Sequence, residues 1–563
     1  MIDKSALQAY DVCVVGAGPA GIAVSLELAD LGLSVALVES GTEGYSPASQ
    51  LLSDAEVLSN ESHSVMADAV HRGLGGTSAF WGGRCVPLDA IDFEKREFVS
   101  KSDWPLTEHD LQPFYRRACA ILDAGDANFS VNTCEELATS KQPLSAKFGD
   151  TDIFCATKLE RWSRVTNVWV SHQSKLQSHP HITILSGLTC VGLRQAELGG
   201  AVSEVLVQQT SSDVLAPASI KARFFVLACG GIECTRLVLN SIQDPLGLKL
   251  ASTELVGRYY MGHPSGKITD IELSGDPNKT LYGFEKDGNV FVRRRITFSP
   301  ATLQNEKLLN IAFWLDNAPI SDWHHGSGVL SAAYLALTAP WLGRLLAPEA
   351  IRKRVVGENS IKRLHHIWNC LRSPFKTLLF CVQFLYQRYI AKPRLPGFFT
   401  FSSTNRYALH YHAEQAPNWN STITLSDQVD ALGMRRARVL LEWSAQDIDS
   451  IIRAHEVLDA ALQESGVGRL IYRYPTADLK QTIQVQAIDG FHQIGTLRMG
   501  SDASKGVTDP YGRLYGTSNC YVASSATFPT SGQANPTLAL VALAVRQAQH
   551  IVACAANPES LHA

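Results

Sequence analysis

The pattern of apolar and polar positions near the N-terminus predicts a β-strand, a helix and a second strand. Residues 10–15 are almost all apolar, as in a strand of a parallel sheet that is buried on both faces, and they run into the glycine-rich turn GAGPAG. A helix is predicted over about residues 21–31, and a second strand follows at residues 34–38. This order predicts a βαβ unit at the start of a parallel sheet.

The turn after the first strand has the spacing of a dinucleotide-binding loop. Gly16 would make the turn, Gly18 would let backbone approach a pyrophosphate, and Gly21 would permit close packing of helix on strand. Glu39, which closes the second strand, could accept hydrogen bonds from an adenosine ribose. The unit therefore predicts a bound dinucleotide but does not show which one.

The middle of the chain interrupts this pattern and then returns to it. A helical run capped by Thr107 is predicted over residues 107–122, and strands follow at 181–185, 202–207 and 222–227, before Gly230 and Gly231 open another helix. This return predicts a nucleotide domain built from separated pieces. The nucleotide domain is assigned residues 1–90, 182–270 and 486–563, and the substrate domain is assigned residues 91–181 and 271–485.

Residues 400–443 alternate apolar and polar side chains, which predicts antiparallel strands with one wet face. A helix capped by Ser444 and Asp447 should follow and end at Gly466. Its apolar face is predicted to contain Ile448, Ile451, Ile452, Leu458 and Leu462. Together these elements predict a sheet backed by helices, which would form one wall of a substrate pocket. His410 and His412 could face that pocket, although strand histidines are more often hydrogen-bonded bystanders.

Two polar residues near the C-terminus are the candidates for chemistry. His492 lies in GFHQIGTLRMG, and Asn535 lies in SGQANPT, just before an apolar helix. Asn is a favoured N-cap and Pro536 suits the first helical position, so Asn535 is predicted at the positive end of that helix. Such an end stabilises a nearby anion, for example a reduced flavin ring or a developing oxyanion. An ordinary capped core helix is the alternative.

Composition narrows the class of protein. A chain of 563 residues exceeds the length at which one core stops growing, so at least two domains are expected. A net charge of -4 argues against a nucleic-acid-coating protein. Twelve cysteines without a CxxC pair predict reduced thiols in a cytoplasmic protein, and no metal-ligand cluster with ordinary spacing occurs. The first residues show no export leader, and no uncharged apolar run is long enough to span a bilayer.

A second glycine cluster, HRGLGGTSAFWGG at 71–83, suggests backbone wrapped around something flat and polar. This cluster, the βαβ unit, WPLTEHDLQPFY at 104–115, VLACGGIECTRLVL at 226–239, HQIGTLRMG and SGQANPT together resemble the glucose-methanol-choline (GMC) oxidoreductase family. The resemblance spans both ends of the chain and is weak or silent over residues 270–405.

The resemblance implies an α/β fold. A Rossmann-like FAD-binding domain would be built from separated segments, and a substrate domain would contain a mostly antiparallel sheet backed by helices. It also implies which residues hold FAD. The ADP half would be held by Gly16, Gly18, Gly21 and Glu39, the flavin would lie along Gly76, Ser78 and Trp81, and its ribityl and pyrimidine portions would lie near Ser525 and Pro536. Some members bond FAD covalently through a histidine in the stretch that matches residues 78–81. This chain has Phe80 there, so noncovalent FAD is expected.

By the same resemblance, His492 stands at the catalytic histidine position and Asn535 at the second active-site position. The expected reaction oxidises an alcohol, with a sugar, glycoside or other polyol favoured, to a carbonyl. A hydride would pass to flavin N5 while His492 takes the hydroxyl proton. The electron acceptor stays open among oxygen, a quinone and an electron-transfer protein. Alternatives are an FAD-containing lyase that uses His492 as base without net redox change, a nicotinamide dehydrogenase and a non-enzymatic flavoprotein.

Residues 341–396 are the stretch that the resemblance explains least. They are rich in basic and apolar side chains, and Glu349 and Glu358 are their only acidic residues. The favoured interpretation is a helical insert that packs over the substrate domain. Peripheral contact with an anionic membrane surface is the alternative. The basic residues of this stretch are Arg344, Arg352, Lys353, Arg354, Lys362, Arg363, Arg372, Lys376, Arg388, Lys392 and Arg394.

Overall fold

The computed structural model describes residues 9–134, 137, 152–211, 217–280, 282–346 and 363–557. Several residues of the predicted basic insert, namely Glu349, Arg352, Lys353, Arg354, Glu358 and Lys362, lie outside the described residues. The strands are β1 Tyr10–Val15, β2 Val35–Glu39, β3 Glu56–Val57, β4 Arg84–Cys85, β5 Phe154–Trp162, β6 Ile182–Ser186, β7 Leu188–Gln195, β8 Val202–Gln209, β9 Ala218–Leu227, β10 Ser265–Leu273, β11 Glu285–Asp287, β12 Val290–Phe298, β13 Ile311–Asp316, β14 Arg406–Ala413, β15 Thr422–Val429, β16 Arg435–Leu440, β17 Gly468–Tyr472 and β18 Cys520–Val522.

Short 3-10 turns and α-helices connect these strands. The α-helices are α1 Pro19–Asp30, α2 Pro47–Leu51, α3 Met66–Ala69, α4 Ala90–Phe93, α5 Glu108–Leu111, α6 Tyr115–Ile121, α7 Val168–Ser178, α8 Gly231–Gln243, α9 Pro300–Asn305, α10 Gly328–Thr338, α11 Leu342–Leu346, α12 Arg363–Arg372, α13 Pro374–Tyr389, α14 Ala445–Glu464, α15 Leu479–Gln486 and α16 Thr537–Ala556.

The first sheet has the order β6-β2-β1-β9-β8-β7, and β18 also pairs with β9. The pairs β6-β2, β2-β1, β1-β9 and β9-β18 are parallel, as the apolar runs predicted. Helices α1 and α16 pack on it together, and both are largely buried. The carboxyl ends of β1, β2 and β9 therefore come together beside the N-terminus of α1, which is the usual ligand-binding edge of a parallel sheet.

The second sheet has the order β17-β10-β14-β13-β12-β5-β4, with β11 added on β12, and all its pairs are antiparallel. Its apolar face packs on α14 through Ile448, Ile451 and Leu458, which the helical pattern predicted. The predicted capping box of Ser444 and Asp447 is also present. The predicted fold class, a Rossmann-like domain with a mostly antiparallel sheet backed by helices, is confirmed.

The prediction of a single sheet with one wet face over residues 400–443 is wrong in two respects. Only β14 joins the second sheet, whereas β15 and β16 form a separate three-stranded sheet with β3. In addition, β14 is largely buried on both faces. His410 stacks on Trp314, and His412 Nδ1 lies 2.8 Å from the Gln533 carbonyl oxygen, so both polar side chains pack inside the protein. The domain boundaries inferred from the sequence stay a proposal, which the distribution of strands between the two large sheets supports.

One described helix, α16, is long and apolar enough to cross a membrane by length and composition. In the most apolar 18-residue stretch of this helix, 56% is buried inside the protein, as expected for a core helix of a folded domain. Its contacts with α1 and α6 explain its apolar composition without a bilayer.

Candidate active site

A cavity of about 1050 Å³ joins the dinucleotide-binding turn to the predicted catalytic pair. Gly16, Gly18 and Glu39 line it on the side of the first sheet. His492 and Asn535, which are far away in sequence, line the same cavity. The fold therefore brings together residues from three distant parts of the chain.

The glycines of the turn are required by close backbone contacts. Gly16 has a positive φ of 107°, and a Cβ there would lie 2.6 Å from the Ala228 carbonyl oxygen. A Cβ on Gly21 would lie 1.8 Å from the Gly16 carbonyl oxygen, so a glycine is needed where α1 crosses the turn. A Cβ on Gly18 would instead point into open space. Gly18 is thus where the backbone is open to a ligand at the N-terminus of α1.

Glu39 is buried at the end of β2. Its carboxylate accepts hydrogen bonds from the backbone N–H of Ala17, at 2.9 Å, and of Gly41, at 2.8 Å. These bonds orient the carboxylate at the edge of the cavity and leave lone pairs for a ribose hydroxyl, because a carboxylate has about four acceptor sites.

The second glycine cluster closes over the turn. Gly76 has a positive φ of 54°, and a Cβ there would lie 3.0 Å from Gly18 Cα. The Ser78 hydroxyl donates to the Gly75 carbonyl and accepts from the Val168 backbone N–H at 3.1 Å. Trp81 lines the cavity and donates its indole N–H to the Thr166 carbonyl at 2.7 Å. The indole ring is thus held in place at the cavity wall.

Ser525 and Pro536 also line the cavity. The Ser525 hydroxyl donates to the Gln493 carbonyl at 2.8 Å, which joins the β18–α16 connection to the loop that carries His492. Helix α16 begins at Thr537, one residue later than predicted, and the Pro536 carbonyl accepts its first hydrogen bond, from Leu540. Asn535 therefore is not the side-chain cap that its position suggested. Its amide bonds to His492 instead.

His492 and Asn535 are in direct contact. Asn535 Nδ2 lies 2.9 Å from His492 Nε2, and His492 Nδ1 lies 3.0 Å from Asp489 Oδ2. Because Asp489 is a carboxylate, Nδ1 carries the proton and donates it, which leaves Nε2 as the acceptor of the Asn535 amide N–H. The ring thus presents an unprotonated Nε2 toward the cavity.

Asp489 was not among the residues predicted from the sequence. It is buried, and its carboxylate also accepts the backbone N–H groups of His263, at 2.7 Å, and Phe491, at 2.9 Å. Burial alone would raise the pKa of Asp489, but the adjacent His492 and His263 hold that pKa well below its ordinary value. The signal in the sequence was a carboxylate three residues before His492, beside Gly490.

Two more histidines surround His492. The His263 and His412 rings lie 4.7 and 5.5 Å from the His492 ring. His410 instead stacks on Trp314, and neither His410 nor His412 lines the cavity. Burial, followed by the neighbouring His492, lowers the pKa of His263 to about 3, and burial also lowers the pKa of His412 well below its ordinary value. Both rings therefore stay neutral at working pH. Ligand nitrogens of the three histidines lie within 4.8 Å of one another, so the expectation of no metal stays a prediction.

The residues present fit FAD. The open space at Gly18 lies where a pyrophosphate would lie, and Asn535 Oδ1 is buried beside the cavity without a hydrogen-bond partner among the described residues. One continuous cavity links these points. A Rossmann-type turn, a buried carboxylate at the end of β2 and a histidine at the far end of the cavity are the arrangement expected of an FAD-dependent oxidoreductase.

Comparisons with known proteins agree with this class. A family model described as "GMC oxidoreductase" matches residues 417–544, and one described as "FAD binding domain" matches residues 9–66. The chain is similar to 6'''-hydroxyparomomycin C oxidase of Streptomyces lividus, at 22% identity over 98% of this chain and 93% of that protein. It is also similar to 2-methyl-1,2-propanediol dehydrogenase of Mycolicibacterium austroafricanum, at 27% identity over 27% of this chain and 26% of that protein.

Among solved structures, the fold is similar to that of pyridoxine 4-oxidase from Mesorbium loti. The TM-score is 0.53 at 15% sequence identity, over 96% of this chain and 99% of that chain. The resemblance to the glucose-methanol-choline oxidoreductase family is confirmed by the match of residues 417–544, and the protein is an FAD-dependent enzyme that acts on CH–OH groups. None of these relatives is a lyase.

Proposed function

We propose that the enzyme oxidises an alcohol to a carbonyl, with His492 as the base and Asn535 as the residue that holds the reacting oxygen. The contact between His492 and Asn535 at the cavity wall carries this proposal. FAD, when bound, supplies a two-electron acceptor for the hydrogen that leaves the carbinol carbon. Side chains of the protein take up the hydroxyl proton and position the substrate oxygen.

His492 Nε2 takes the hydroxyl proton of the substrate. Its lone pair points toward Asn535 because Nδ1–H is committed to Asp489. The His263 and His412 rings are buried and neutral, so they exclude water around His492 without competing for the proton. Asp489 stays anionic and stabilises the imidazolium that forms.

Asn535 orients the substrate oxygen. Its amide N–H bonds to the base when the site holds no substrate, and a substrate oxygen placed between the two side chains would accept that N–H instead. The backbone at the start of α16 adds positive potential to the same place, since the first N–H groups of a helix lack partners within the helix. Developing negative charge is stabilised there.

The substrate is a small alcohol, and a sugar, glycoside or other polyol remains the favoured choice. The name of the relative 6'''-hydroxyparomomycin C oxidase, which refers to a hydroxy compound, supports an alcohol substrate. We propose that FAD is bound noncovalently, since Phe80 lacks a nucleophile and its ring packs against the ring of His71, with the centroids 4.5 Å apart.

The variant His492→Ala tests the assignment of the base. The rate of anaerobic flavin reduction by substrate should fall by about 10² or more, because a general base is lost. FAD content, read from the visible spectrum, should stay near that of the native protein. Near-normal reduction kinetics in this variant would remove His492 from the mechanism.

We also propose that helices α12 and α13 bind the protein to an anionic membrane surface, from the cytoplasmic side. The buried residues of these helices are polar, namely His366, Asn369 and Thr377. His366 Nδ1 lies 3.0 Å from the Ser331 hydroxyl, and Asn369 donates to the Trp323 carbonyl at 2.8 Å. Polar residues of both helices thus face the rest of the protein, and α13 also packs there through Phe380 and Phe384, whose rings contact Phe398.

The opposite sides are apolar and exposed, which inverts the arrangement of a helix that faces water. Phe375 is 87% exposed and Leu379 is 69% exposed. Patches of this kind mark interaction surfaces. We call this surface the apolar helical patch. It consists of Leu364, Ile367, Trp368, Leu371, Phe375, Leu378, Leu379, Val382, Leu385, Tyr386, Tyr389 and Ile390.

Charge points to an anionic bilayer as the occupant of the patch. Residues 363–396 contain six basic residues and no aspartate or glutamate. Basic side chains beside exposed aromatic and aliphatic ones are typical of helices that lie in a membrane interface. A protein held at a membrane could use a quinone dissolved there as electron acceptor, although oxygen and an electron-transfer protein are equally compatible with the site.

Vesicle sedimentation tests this surface. The protein should sediment with vesicles of phosphatidylcholine and phosphatidylglycerol at low salt, less with phosphatidylcholine alone, and less as salt rises. Phe375→Asp should abolish binding, whereas Val485→Asp, which places the same charge at a residue 66% exposed on α15, should leave it unchanged. Absence of binding, or a dimer in vesicle-free buffer that Phe375→Asp dissociates, would overturn the proposal.

A further inference from the structure

Three arginines surround one tryptophan on the cavity side of the second sheet. Arg84 of β4 and Arg293 and Arg295 of β12 place their guanidinium carbons 4.5, 4.8 and 5.6 Å from the centre of the Trp314 ring of β13. Arg293 and Arg295 share a face of the sheet because they are two residues apart in a strand. We call this group the arginine cluster.

The arginine cluster shares a single carboxylate. Glu160 lies 3.4 Å from Arg84 Nε and 3.8 Å from Arg295 Nε, and it accepts a hydrogen bond from Arg293 Nε at 2.5 Å. In the described part of the chain, no other carboxylate forms an ion pair with any of the three arginines. Three positive charges therefore face one negative charge.

The excess charge is buried. Arg295 is 1% exposed, and none of its three guanidinium nitrogens has a hydrogen-bond partner among the described residues. Burial lowers the pKa of Arg84 to about 10, even with Glu160 beside it. A buried cation without hydrogen-bond partners is costly, so an arrangement of this kind is typical of a binding site rather than of a core.

Neighbouring charges on the same face do not compensate the arginine cluster. Lys267 pairs with Asp316 at 2.8 Å, and Lys158 pairs with Asp89 at 2.5 Å. Each of these pairs contributes no net charge. The face of the sheet that looks toward the active site therefore has a positive potential.

The arginine cluster belongs to the same cavity as the catalytic pair. Arg84 lines that cavity together with His492 and Asn535. The Trp314 ring, which the three arginines surround, lies 6.4 Å from the His412 ring, and the His412 ring lies 5.5 Å from the His492 ring. A substrate whose hydroxyl lies at His492 can thus extend along the wall toward Arg84.

We propose that the substrate carries an anionic group, a carboxylate or a phosphate, that Arg84 binds while the hydroxyl lies between His492 and Asn535. This inference rests on the proposed alcohol oxidation and adds the chemical class of the substrate. Arg84 donates hydrogen bonds to the anion in the planar geometry that guanidinium groups offer to carboxylates and phosphates. Arg293 and Arg295 lie behind it and add their charge across a low-dielectric wall.

Related sugars that differ in charge test whether the substrate is anionic. Glucose, glucuronate, glucose 6-phosphate and glucosamine are offered anaerobically to the holoenzyme, and flavin reduction is followed. An anionic member should have a kcat/KM at least about tenfold above that of glucose, with glucosamine below glucose. A higher kcat/KM for glucuronate would indicate a carboxylate site, and a higher kcat/KM for glucose 6-phosphate would indicate a phosphate site. Equal or better use of the neutral or amino sugar would overturn the proposal.

Substitutions test whether Arg84 causes the preference for anionic substrates. Arg84→Gln should raise KM for the anionic member about tenfold or more and change kcat little. Glu160 keeps Arg293 as partner in this variant, so the fold should be retained. Arg294→Gln is the matched control, because Arg294 lies on the opposite face of β12 and pairs with Glu285. An equal fall of kcat for neutral and anionic members would overturn the proposal.

A binding measurement separates this inference from the proposed chemistry. Inorganic phosphate added to holoenzyme, whose pyrophosphate site is filled by FAD, should raise Tm in the native protein and in Arg294→Gln but less in Arg84→Gln. The same shift in all three proteins would contradict an anion site at Arg84. If phosphate binds through Arg84 but no alcohol reduces the flavin, the proposed function fails and the anion site stands.

Discussion

At the scale of single residues, the active site depends on one imidazole whose two nitrogens have different partners. Asp489 accepts a hydrogen bond from His492 Nδ1–H, and the Asn535 amide donates a hydrogen bond to His492 Nε2. The rings of the two neighbouring histidines, His263 and His412, are buried and neutral. In the proposed mechanism, the function of His492 therefore depends on a carboxylate that does not line the cavity.

Replacing that carboxylate should slow the chemistry without weakening substrate binding. In Asp489→Asn the negative charge that stabilises the imidazolium is lost, so the limiting rate of flavin reduction should fall by about 10². The substrate concentration that gives half of that limiting rate should change little. Stopped-flow reduction over a range of substrate concentrations measures both quantities.

Asp509→Asn is the control for Asp489→Asn. Asp509 is also a buried carboxylate that accepts backbone N–H groups in a turn, from Tyr511 and Arg513, but it does not line the cavity. Its substitution should leave the limiting rate unchanged. A weakened substrate affinity with a normal limiting rate in Asp489→Asn would show that Asp489 shapes the pocket instead.

At the scale of elements, the β1–α1 turn contains two glycines with opposite surroundings. A Cβ on Gly21 would meet the Gly16 carbonyl oxygen, whereas a Cβ on Gly18 would enter open space. One glycine is needed for packing and the other for the ligand. The spacing of the motif suggested both roles, and the contacts distinguish them.

Alanine substitutions should separate these two roles. Gly21→Ala should destabilise the apoprotein by about 1–3 kcal/mol through overpacking. Gly18→Ala should keep the stability of the apoprotein and weaken FAD binding by about tenfold, or 1.4 kcal/mol. Thermal unfolding of apoprotein and titration with FAD measure the two effects. Equal loss of stability in both variants would contradict the assignment.

Helix α14 contains a buried histidine that should make stability depend on pH. His455 Nδ1 bonds to the Ile451 carbonyl at 2.7 Å, Nε2 has no partner among the described residues, and burial lowers the pKa to about 4. The unfolded chain binds this proton below about pH 6.5 and the folded chain does not. This contribution to stability is therefore complete above pH 6.5 and is lost as pH falls toward 4.

Denaturant unfolding between pH 7 and pH 4 checks this sign. The loss attributable to His455 should be on the order of 3 kcal/mol, and His455→Leu should remove it. His109→Leu, at an exposed histidine, should keep the pH dependence of the native protein. An unchanged slope in His455→Leu would assign the acid sensitivity to other groups.

At the scale of the whole molecule, one ligand should join distant parts of the chain. The cavity is lined by residues from the first 84 positions, from 188–233 and from 488–540. FAD bound in this cavity would contact all three parts, and it would bind only the folded state. Folding and cofactor binding are therefore coupled.

Added FAD should raise the stability of the apoprotein by about 2.7 kcal/mol at a free concentration of 100 Kd. Hydrogen exchange should show protection both at the β1–α1 turn and at residues 490–500. ADP is the control, because it fills only the dinucleotide end and should protect the turn alone. Protection by FAD that is confined to the turn would contradict a single continuous site.

Local patterns in the chain were sufficient for much of this description. The apolar run of β1, the turn at Gly16 and the capping box at Ser444 depend on neighbours a few residues apart, and their predicted positions agree with the structure to within about two residues. The motifs at both ends carried the resemblance that led to FAD and to His492. Local spacing also predicted the packing role of Gly21.

Partners distant in sequence decided the rest. Asn535 had the local signal of a helix cap, yet its amide bonds to a histidine 43 residues away. The separation of β15 from β14 and the arginine cluster likewise depend on pairing between strands that no local pattern specifies. The sequence alone determined the elements and the chemical types available, because those follow from short-range periodicity. Only the tertiary structure decided which charges meet, because electrostatic and hydrogen-bond partners are set by the packing of distant segments.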